Sequence, residues 1–510
     1  MPGGPRGLPD RPNLRFLKLE AKRRHADGEF VALHDAQLAI AREHGLANWS
    51  ELKRLIEPHS HAVGQLRWIV ERFRDASEPG WTAPAPRELR EHFEERFLAA
   101  VPGLVRDLTR ASPVLSDELV SITLADPYEA RAELAELAVH LATEPAAPYR
   151  VTGLVVMPVS KPIADERITG GAPARSSGNR PAPAGLTELA GQLADEFGVP
   201  ALALAGADPA AQGQAGLASW VVTRGWADMD RAEPLRPEQP FSAPGISLVV
   251  TATAVLRLVA DGRCGLDDRA NTKLRTLRLA DDAITIRDLL ASVSGVNDPD
   301  WLIDDVVPDL VSLLGPVAAC DGRRGVFRPS NAGAGVLGQI VEDITGMPYA
   351  AAMTELVLTP LGMRASRFPA STAGIGDVVT GYATTRENTF EPAKPAVCTI
   401  QAAGGLWSTA ADIARLGTGW AALLPAELAR EALTPQLTAP GDDPGNGVLP
   451  GFGWLLSTGG DSTAMIAGAL PGATAGLFIR VRDHRAFVIL ASRLMPLDDI
   501  DRQARPLWFS

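Results

Sequence analysis

The residues that most constrain the fold lie between Phe241 and Gly262, where the sequence runs FSAPGISLVVTATAVLRLVADG. Pro244 and Gly245 indicate a turn. The largely apolar stretch 246–260 that follows is too short to cross a membrane, and Arg257 interrupts it. A helix with apolar residues on all sides is typical of a buried helix. The segment therefore predicts a turn that leads into a helix at the centre of a large core.

Length, charge and cysteine content exclude several classes of function. A chain of 510 residues can hold two to four domains. Its net charge of −12 argues against nucleic acid and anionic membranes as partners. Cys264, Cys320 and Cys398 are too few and too scattered for a disulfide framework, and none of them has metal-ligand spacing. We expect no cofactor and no metal. The first 18 residues lack the apolar core of a signal peptide, which favours a cytoplasmic protein.

Composition and periodicity divide the chain into four segments. Residues 1–60 contain two short helical patterns and predict a helical module. Residues 61–160 pass from helical to alternating patterns, which predicts a small α+β domain. Residues 161–185 are rich in Gly, Pro, Ser and Ala and predict a linker. Residues 186–510 begin and end with strand patterns that enclose helical ones, which predicts one sheet between helical layers.

Several stretches of the last segment carry a family resemblance. They read TATAVLRLVADGRCGLDD, SNAGAGVLGQIVEDITGMPYAAAM, GGLWSTAADIARLG and ALPGATAGLFI. Over nearly all of residues 186–510 the chain resembles the serine β-lactamase and penicillin-binding-protein superfamily, in particular its class C and esterase branch. The resemblance implies an α+β fold with an antiparallel sheet between helical layers.

The order of the segments has a resemblance of its own. It is similar to that of a protein of clavulanic acid gene clusters, in which a cystatin-like or nuclear-transport-factor-like domain precedes a β-lactamase fold. The module 1–60 resembles one found in many actinobacterial proteins. The resemblance implies a cystatin-like domain at residues 61–160.

The positions that carry catalysis in this superfamily are changed here. Its Ser-x-x-Lys motif, in which lysine activates the serine nucleophile, falls on residues 245–248, Gly-Ile-Ser-Leu. Its Tyr-x-Asn motif falls on 329–331, Pro-Ser-Asn, and its Lys-Thr-Gly motif falls on 466–468, Ile-Ala-Gly. The nucleophile, the general base and the cation are therefore absent at these positions. The resemblance implies a chain that is neither a serine β-lactamase nor an esterase.

The same changes predict a cleft with an apolar wall. We expect the ligand to contact Gly245, Ser247, Leu248, Pro329, Trp407, Ser408, Ile466 and Gly468. Ser330 and Asn331 could donate hydrogen bonds to a carbonyl or enolate, and Asp298 is a candidate general base. Three of these residues have a structural alternative. Trp407 could fill the cleft as core, Asn331 could brace its loop, and Asp298 could be a turn residue.

These features lead to competing hypotheses. The first is a non-hydrolytic catalyst of cyclisation, isomerisation or elimination, acting on an apolar intermediate of natural-product or antibiotic biosynthesis, because such reactions need mainly orientation. The alternative is an inactive pseudoenzyme that binds or scaffolds, with the N-terminal module contacting a protein partner or a second copy. A third hypothesis assigns chemistry to residues 61–160, with Tyr128, His140 and Tyr149 as its polar groups.

Overall fold

The computed structural model divides the chain into two compact units, residues 1–159 and 160–510. The structure describes residues 14–30, 32–44, 49, 61–73, 81–93, 121–126, 129–133, 137–143, 148–158, 165–169, 174–209, 218–299, 303–320, 324–384, 389–437, 448–457, 462–495 and 497–508.

The first unit combines four described helices with an antiparallel meander. The helices are α1 (Leu14–Ala26), α2 (Leu33–Glu43), α3 (His61–Phe73) and α4 (Pro86–His92). The strands are β1 (Ser121–Asp126), β2 (Glu129–Glu133), β3 (Leu137–Thr143) and β4 (Val151–Pro158), each paired with the next. One face of α3 is apolar and buried through Leu66, Ile69 and Phe73. The cystatin-like identity of this region stays a prediction.

The second unit is built on a large antiparallel sheet. Its longer strands are β5 (Arg175–Gly178), β6 (Ala201–Asp208), β7 (Ala218–Asp228), β19 (Thr463–Leu470), β20 (Ala473–Arg480) and β21 (Ala486–Ala491). Three shorter strands extend it, namely β8 (Glu233–Pro234), β17 (Val448–Pro450) and β18 (Leu455–Ser457). Within the described residues the order is β17-β18-β19-β20-β21-β6-β7-β5, and β8 pairs with β7.

Helices cover both faces of this sheet. The described helices of the unit are α5 (Glu166–Thr169), α6 (Leu186–Glu196), α7 (Ile246–Ala260), α8 (Ile286–Leu290), α9 (Leu310–Leu314), α10 (Asn331–Thr345), α11 (Tyr349–Met353), α12 (Gln401–Gly404), α13 (Ala410–Gly419), α14 (Ala426–Ala432) and α15 (Leu497–Trp508). On one face lie α6 and α15, and on the other lie α7, α10 and α13. Small two-stranded pairings join β9 (Phe241–Ser242), β10 (Arg278–Leu279), β11 (Ile303–Asp304), β12 (Val317–Ala318), β13 (Tyr382–Thr384), β14 (Phe390–Pro392), β15 (Val397–Cys398) and β16 (Trp407–Ser408).

Side-chain alternation along β6 shows how the layers form. Ala201, Ala203 and Ala205 face the large core that contains α7 and α10, whereas Leu202 and Leu204 face the core formed with α6 and α15. Successive side chains of a strand point to opposite faces, so a strand covered on both faces needs apolar residues throughout. The predicted antiparallel sheet between helical layers is confirmed.

The segment predicted as a linker is partly in the sheet. Residues 175–178 form β5, which pairs antiparallel with β7 from Arg175↔Thr223 to Gly178↔Trp220. This strand lies at the edge and is mostly exposed, so its composition lacks the apolar alternation of a buried strand. For these residues the linker prediction is wrong. Among the described helices of the chain, none is long and apolar enough to cross a membrane.

Candidate functional site

The N-terminus of α7 is the position predicted for the nucleophile. Gly245 is the N-cap residue and has φ +78°, a conformation that glycine adopts at little cost. A Cβ atom here would lie 2.5 Å from the Ala467 carbonyl oxygen and 2.7 Å from its carbon. A Cβ on Gly468 would in turn lie 2.5 Å from the Pro244 carbonyl carbon. Backbone of β19 therefore occupies the space that a serine side chain would need.

Hydrogen bonds hold the α7 N-terminus in this position. Gly245 N–H donates to the Ala403 carbonyl at 3.1 Å, and Ala243 N–H donates to the Leu406 carbonyl at 2.9 Å. Backbone N–H groups at a helix N-terminus are the donors that stabilise an oxyanion in acyl transfer. The N–H group of Gly245 is already engaged, so it is not free for that task.

A cavity of about 310 Å³ lies beside this contact. It brings together the three predicted motif positions, because α7, α10 and β19 all border it. The predicted site residues in its wall are Gly245, Leu248, Pro329, Ser330, Asn331, Ile466 and Gly468. Most of the remaining wall is apolar and includes Ala252, Leu289, Leu290, Phe327, Ala334, Leu337, Trp454 and Leu455.

The three candidate catalytic residues lie together at the N-terminus of α10. Asp298 Oδ1 accepts from Ala332 N–H at 2.8 Å and lies 3.0 Å from Ser330 Oγ, and its Oδ2 accepts from Asn331 Nδ2 at 3.0 Å. Ser330 is the N-cap residue, and its Oγ accepts from Gly333 N–H at 2.9 Å. Side chains of this kind commonly satisfy the free N–H groups of a first helical turn.

This network determines which polar atoms remain for a ligand. A carboxylate can only accept hydrogen bonds, so the nitrogen of the Asn331 amide must face Asp298. The Asn331 oxygen is then left without a described partner. Asp298 therefore supports the first turn of α10 and the two residues beside it, and its role as a general base stays a prediction.

Ser292 is a polar wall residue that the sequence did not single out, although the loop 292–301 was expected to border the cleft. It lines the cavity with φ +56°, a backbone conformation that is rare for residues other than glycine. Its hydroxyl carries no hydrogen bond to another residue that the structure describes. Strained backbone of this kind clusters at functional sites. The turn signal Ser294-Gly295, two residues further along the chain, was the only local indication in the sequence.

Three predicted ligand contacts lie off this cavity. Ser247 is fully buried, and its Oγ accepts from Leu406 N–H at 3.0 Å. Ser408 is also buried, with its Oγ 2.8 Å from Ser366 Oγ. Trp407 pairs with Ser242 in a short ladder and lines a second cavity of about 240 Å³. The structure therefore does not bring these three residues into the wall of the first cavity, and their contact with a ligand stays a prediction.

Cys398 is a further wall residue that the sequence did not single out. Its side chain is buried and its Sγ donates to the Ile400 carbonyl at 3.2 Å. Burial raises the pKa of this thiol to about 11, because the charged form is poorly solvated there. The thiolate is the nucleophilic form of cysteine, so this side chain is an unreactive thiol at neutral pH.

The residues proposed for chemistry in the first unit do not assemble a described site. Tyr128 lies outside the described residues, and His140 lies in β3 with its side chain outside them. Tyr149 stacks on His61, with ring centroids 3.3 Å apart. In the part of the chain that the structure describes, no group of three or more His, Cys, Asp or Glu residues could hold a metal ion.

Comparison with known proteins decides the family. The family model described as Beta-lactamase matches residues 193–507, which is more than half of the chain. The chain belongs to the beta-lactamase family. This finding confirms the predicted superfamily, whereas the domain order before it stays a prediction.

Individual relatives of this beta-lactamase family protein match only part of its length, at low to moderate identity. Esterase EstB of Burkholderia gladioli is 34% identical over 164 residues, which are 28% of this chain and 41% of the relative. The putative penicillin-binding protein PbpX of Bacillus subtilis is 24% identical over 256 residues, 46% of this chain and 62% of the relative. The chain thus spans less than two thirds of the length of these curated relatives.

Solved structures show the same fold. The penicillin-binding protein from Bacillus halodurans has a TM-score of 0.52 at 18% identity and covers 62% of this chain and 98% of its own. The octameric penicillin-binding protein homologue from Pyrococcus abyssi has a TM-score of 0.51 at 20% identity and covers 62% of this chain and 75% of its own. At these identities the likeness concerns the fold alone.

Proposed function

We propose that this chain uses the cleft of a beta-lactamase fold to bind an apolar small molecule without forming a covalent bond to it. One observation carries the proposal. The cavity at the three motif positions is open, but β19 backbone fills the space beside Gly245 where a nucleophile would stand. Pro329 and Ile466 replace the groups that would move a proton or hold an anion in this family.

The size and lining of the cavity support this function. Ligand pockets commonly measure roughly 300–1,000 Å³ and are lined mainly by apolar side chains with a few polar groups. The cavity, at about 310 Å³, lies at the lower end of this range. Burial of apolar ligand surface contributes about 25 cal/mol per Å², so an apolar guest is favoured over a charged one.

A second candidate function is the predicted non-hydrolytic catalyst. Cyclisation, isomerisation or elimination of an apolar natural-product intermediate would use the cavity to orient the substrate. The Ser292 hydroxyl and the Asn331 amide oxygen favour this candidate, because both belong to wall residues and neither has a described partner. Replacement of Ser292 by alanine would then lower turnover while leaving binding of the apolar probe unchanged.

The binding proposal is tested with one variant that fills the cavity and one matched variant that leaves the cavity unchanged. Leu248→Trp places an indole in the cavity wall, whereas Leu423→Trp makes the same change at a half-buried position outside it. The probe is N-phenyl-1-naphthylamine, whose fluorescence rises in apolar surroundings. We expect the wild type and Leu423→Trp to bind it alike and Leu248→Trp to bind it at least about tenfold more weakly, a loss of roughly 1.4 kcal/mol. Equal binding by all three proteins would contradict the proposal.

Hydrolysis assays test the claim that the protein forms no covalent bond to its ligand. A chromogenic β-lactam and a p-nitrophenyl ester should show no turnover above the uncatalysed rate, because no described side chain stands where the acyl-enzyme would form. Native mass spectrometry of protein purified from its own host would identify a retained ligand. Saturable hydrolysis that Leu248→Trp abolishes would show that the motif alignment is wrong.

A further inference from the structure

The second cavity, of about 240 Å³, shares walls with the first. Each of the segments 241–245, 396–398 and 466–473 places some of its residues in the wall of the first cavity and others in the wall of the second. Leu470 is the one described residue that lines both of them. The half-buried side chain of Leu470 is therefore adjacent to both spaces.

The polar groups of the two cavities differ in how far they are engaged. In the first cavity, the Ser330 hydroxyl and the Asn331 nitrogen are hydrogen-bonded to Asp298, and the Ser292 hydroxyl and the Asn331 oxygen are the groups without a described partner in an otherwise largely apolar wall. In the second, the hydroxyls of Ser242 and Thr372 carry no hydrogen bond to another residue that the structure describes. The Trp407 indole, a flat apolar surface with an N–H group at its edge, lines the same space.

Charge restricts the chemistry that the second cavity can accept. Lys394 is the only charged residue among the described residues of its wall. The Lys394 ammonium lies 3.2 Å from the carboxylate of Asp305, and both side chains are largely exposed. A neutralised, solvated pair offers little additional energy to an anion. The wall therefore suits an uncharged polar group better than a carboxylate or phosphate.

We propose that the two cavities form one binding site for an elongated neutral amphiphile. Its hydrocarbon end occupies the first cavity, and a flat ring bearing a hydroxyl or carbonyl group lies against Trp407 in the second cavity, within reach of Ser242 and Thr372. The ligand passes Leu470 between them. This inference rests on the proposed function, since it needs the first cavity to bind an apolar group.

Three probes of matched chain length test the inference by displacement of N-phenyl-1-naphthylamine. They are n-hexylbenzene, n-hexyl 4-hydroxybenzoate and 4-hexylbenzoate, which end in an apolar, a neutral polar and an anionic group. The double variant Ser242→Ala with Thr372→Val removes the two free hydroxyls. Thr359→Val is the matched control, because Thr359 is exposed and lines neither cavity.

We expect the hydroxybenzoate ester to bind the wild type most tightly. The double variant should bind this ester roughly tenfold more weakly and bind hexylbenzene unchanged, as expected for the loss of two hydrogen bonds. Unchanged hexylbenzene binding also shows that the variant is folded. Trp407→Leu, as a second variant, should weaken binding of both the ester and hexylbenzene, because the ring of either probe lies against the indole.

The outcomes separate this inference from the proposed function. If hexylbenzene binds in a manner sensitive to Leu248→Trp but the double variant binds the ester normally, the two-cavity site is wrong and the proposed function stands. If the anionic probe binds most tightly, the neutral ligand class is wrong. If neither the fluorophore nor any hexyl probe binds the wild type, both proposals fail.

Discussion

Two positions of α7, its N-terminus and its middle, differ in the polar groups they carry. At the N-terminus, Gly245 carries no side chain and packs against the backbone of β19. Two turns further, Thr251 Oγ1 lies 2.8 Å from the Tyr349 hydroxyl and 3.0 Å from the Ala402 carbonyl, in a fully buried cluster. The N-terminus of α7 therefore lacks catalytic side chains, whereas the middle of the helix carries a buried hydroxyl with hydrogen-bond partners.

The difference follows from what each group does for the folded state. A buried hydroxyl that loses its partner costs about 1–3 kcal/mol, so the Thr251 and Tyr349 side chains stabilise the fold as a pair. Burial also raises the pKa of Tyr349 far above its usual value, which keeps the phenol neutral. At the N-terminus of α7, the absence of a side chain on Gly245 permits its close contact with Gly468.

The largest effect is expected from Gly245→Ser. The new Cβ would lie 2.5 Å from the Ala467 oxygen, and serine would have to adopt φ +78°. We expect a loss of about 3–4 kcal/mol in the free energy of unfolding, which combines overpacking with backbone strain. Denaturant unfolding followed by tryptophan fluorescence measures this loss.

A matched glycine separates the two causes. Gly262, just beyond the end of the same helix, has φ +69° and open space where a Cβ would go. Gly262→Ser should therefore lose only the strain component, about 1–2 kcal/mol. The double variant with Gly245→Ser and Leu248→Lys, which restores Ser-x-x-Lys at residues 245–248, should still hydrolyse no chromogenic β-lactam. Equal destabilisation at the two glycines, or hydrolysis by the double variant, would show that β19 does not obstruct the site.

Much of the second unit follows from its sequence for a simple physical reason. Strands such as β6 and β21 are buried on both faces, so their composition is nearly all apolar, and α7 is apolar on all sides. β5 lies at an exposed edge and pairs through its backbone, which leaves little trace in residue type. Its strand therefore escaped prediction.

The candidate site was only partly predictable. The motif spacing placed Gly245, Pro329 and Ile466 around one cavity, because the superfamily fold brings those positions together. Spacing could not reveal that Asp298 caps α10 or that Trp407 faces a different cavity, because both depend on loop conformation. The strained backbone of Ser292 likewise has no signature in residue type.

A smaller loss of stability is expected from a change at Thr251, in the middle of α7. Thr251→Val removes the partner of the buried Tyr349 hydroxyl and should lower the free energy of unfolding by about 1–3 kcal/mol. Thr253→Val is the matched control, since the Thr253 hydroxyl is equally buried but bonds only to the Val249 carbonyl within its own helix. The control should change stability by about 0.5 kcal/mol or less. Indistinguishable losses would mean that the Thr251–Tyr349 bond adds nothing specific.

The smallest effect concerns His484, the only histidine of residues 186–510. It lies in the turn between β20 and β21, and its ring is 6.3 Å from that of Trp420, which in turn packs against Trp454 in the cavity wall. Its buried Nδ1 has no hydrogen-bond partner among the described residues. Burial lowers the pKa of His484, although neighbouring Asp483 acts in the opposite direction.

The sign of the pH dependence follows from that lowered pKa. Below about pH 6.5, the unfolded chain binds a proton at this histidine that the folded chain does not, so stability falls as the pH falls until the folded pKa is reached. His484→Asn removes the titration and tolerates the positive φ of +54°. Arg480, Arg485 and Asp483 surround the turn and are unchanged in the variant. Calorimetric unfolding between pH 7.5 and about pH 5 should therefore show a shallower loss of stability in the variant than in the wild type. Parallel curves would mean that His484 has the same pKa in the folded and the unfolded chain. Burial at this turn would then not contribute to the pH dependence of stability.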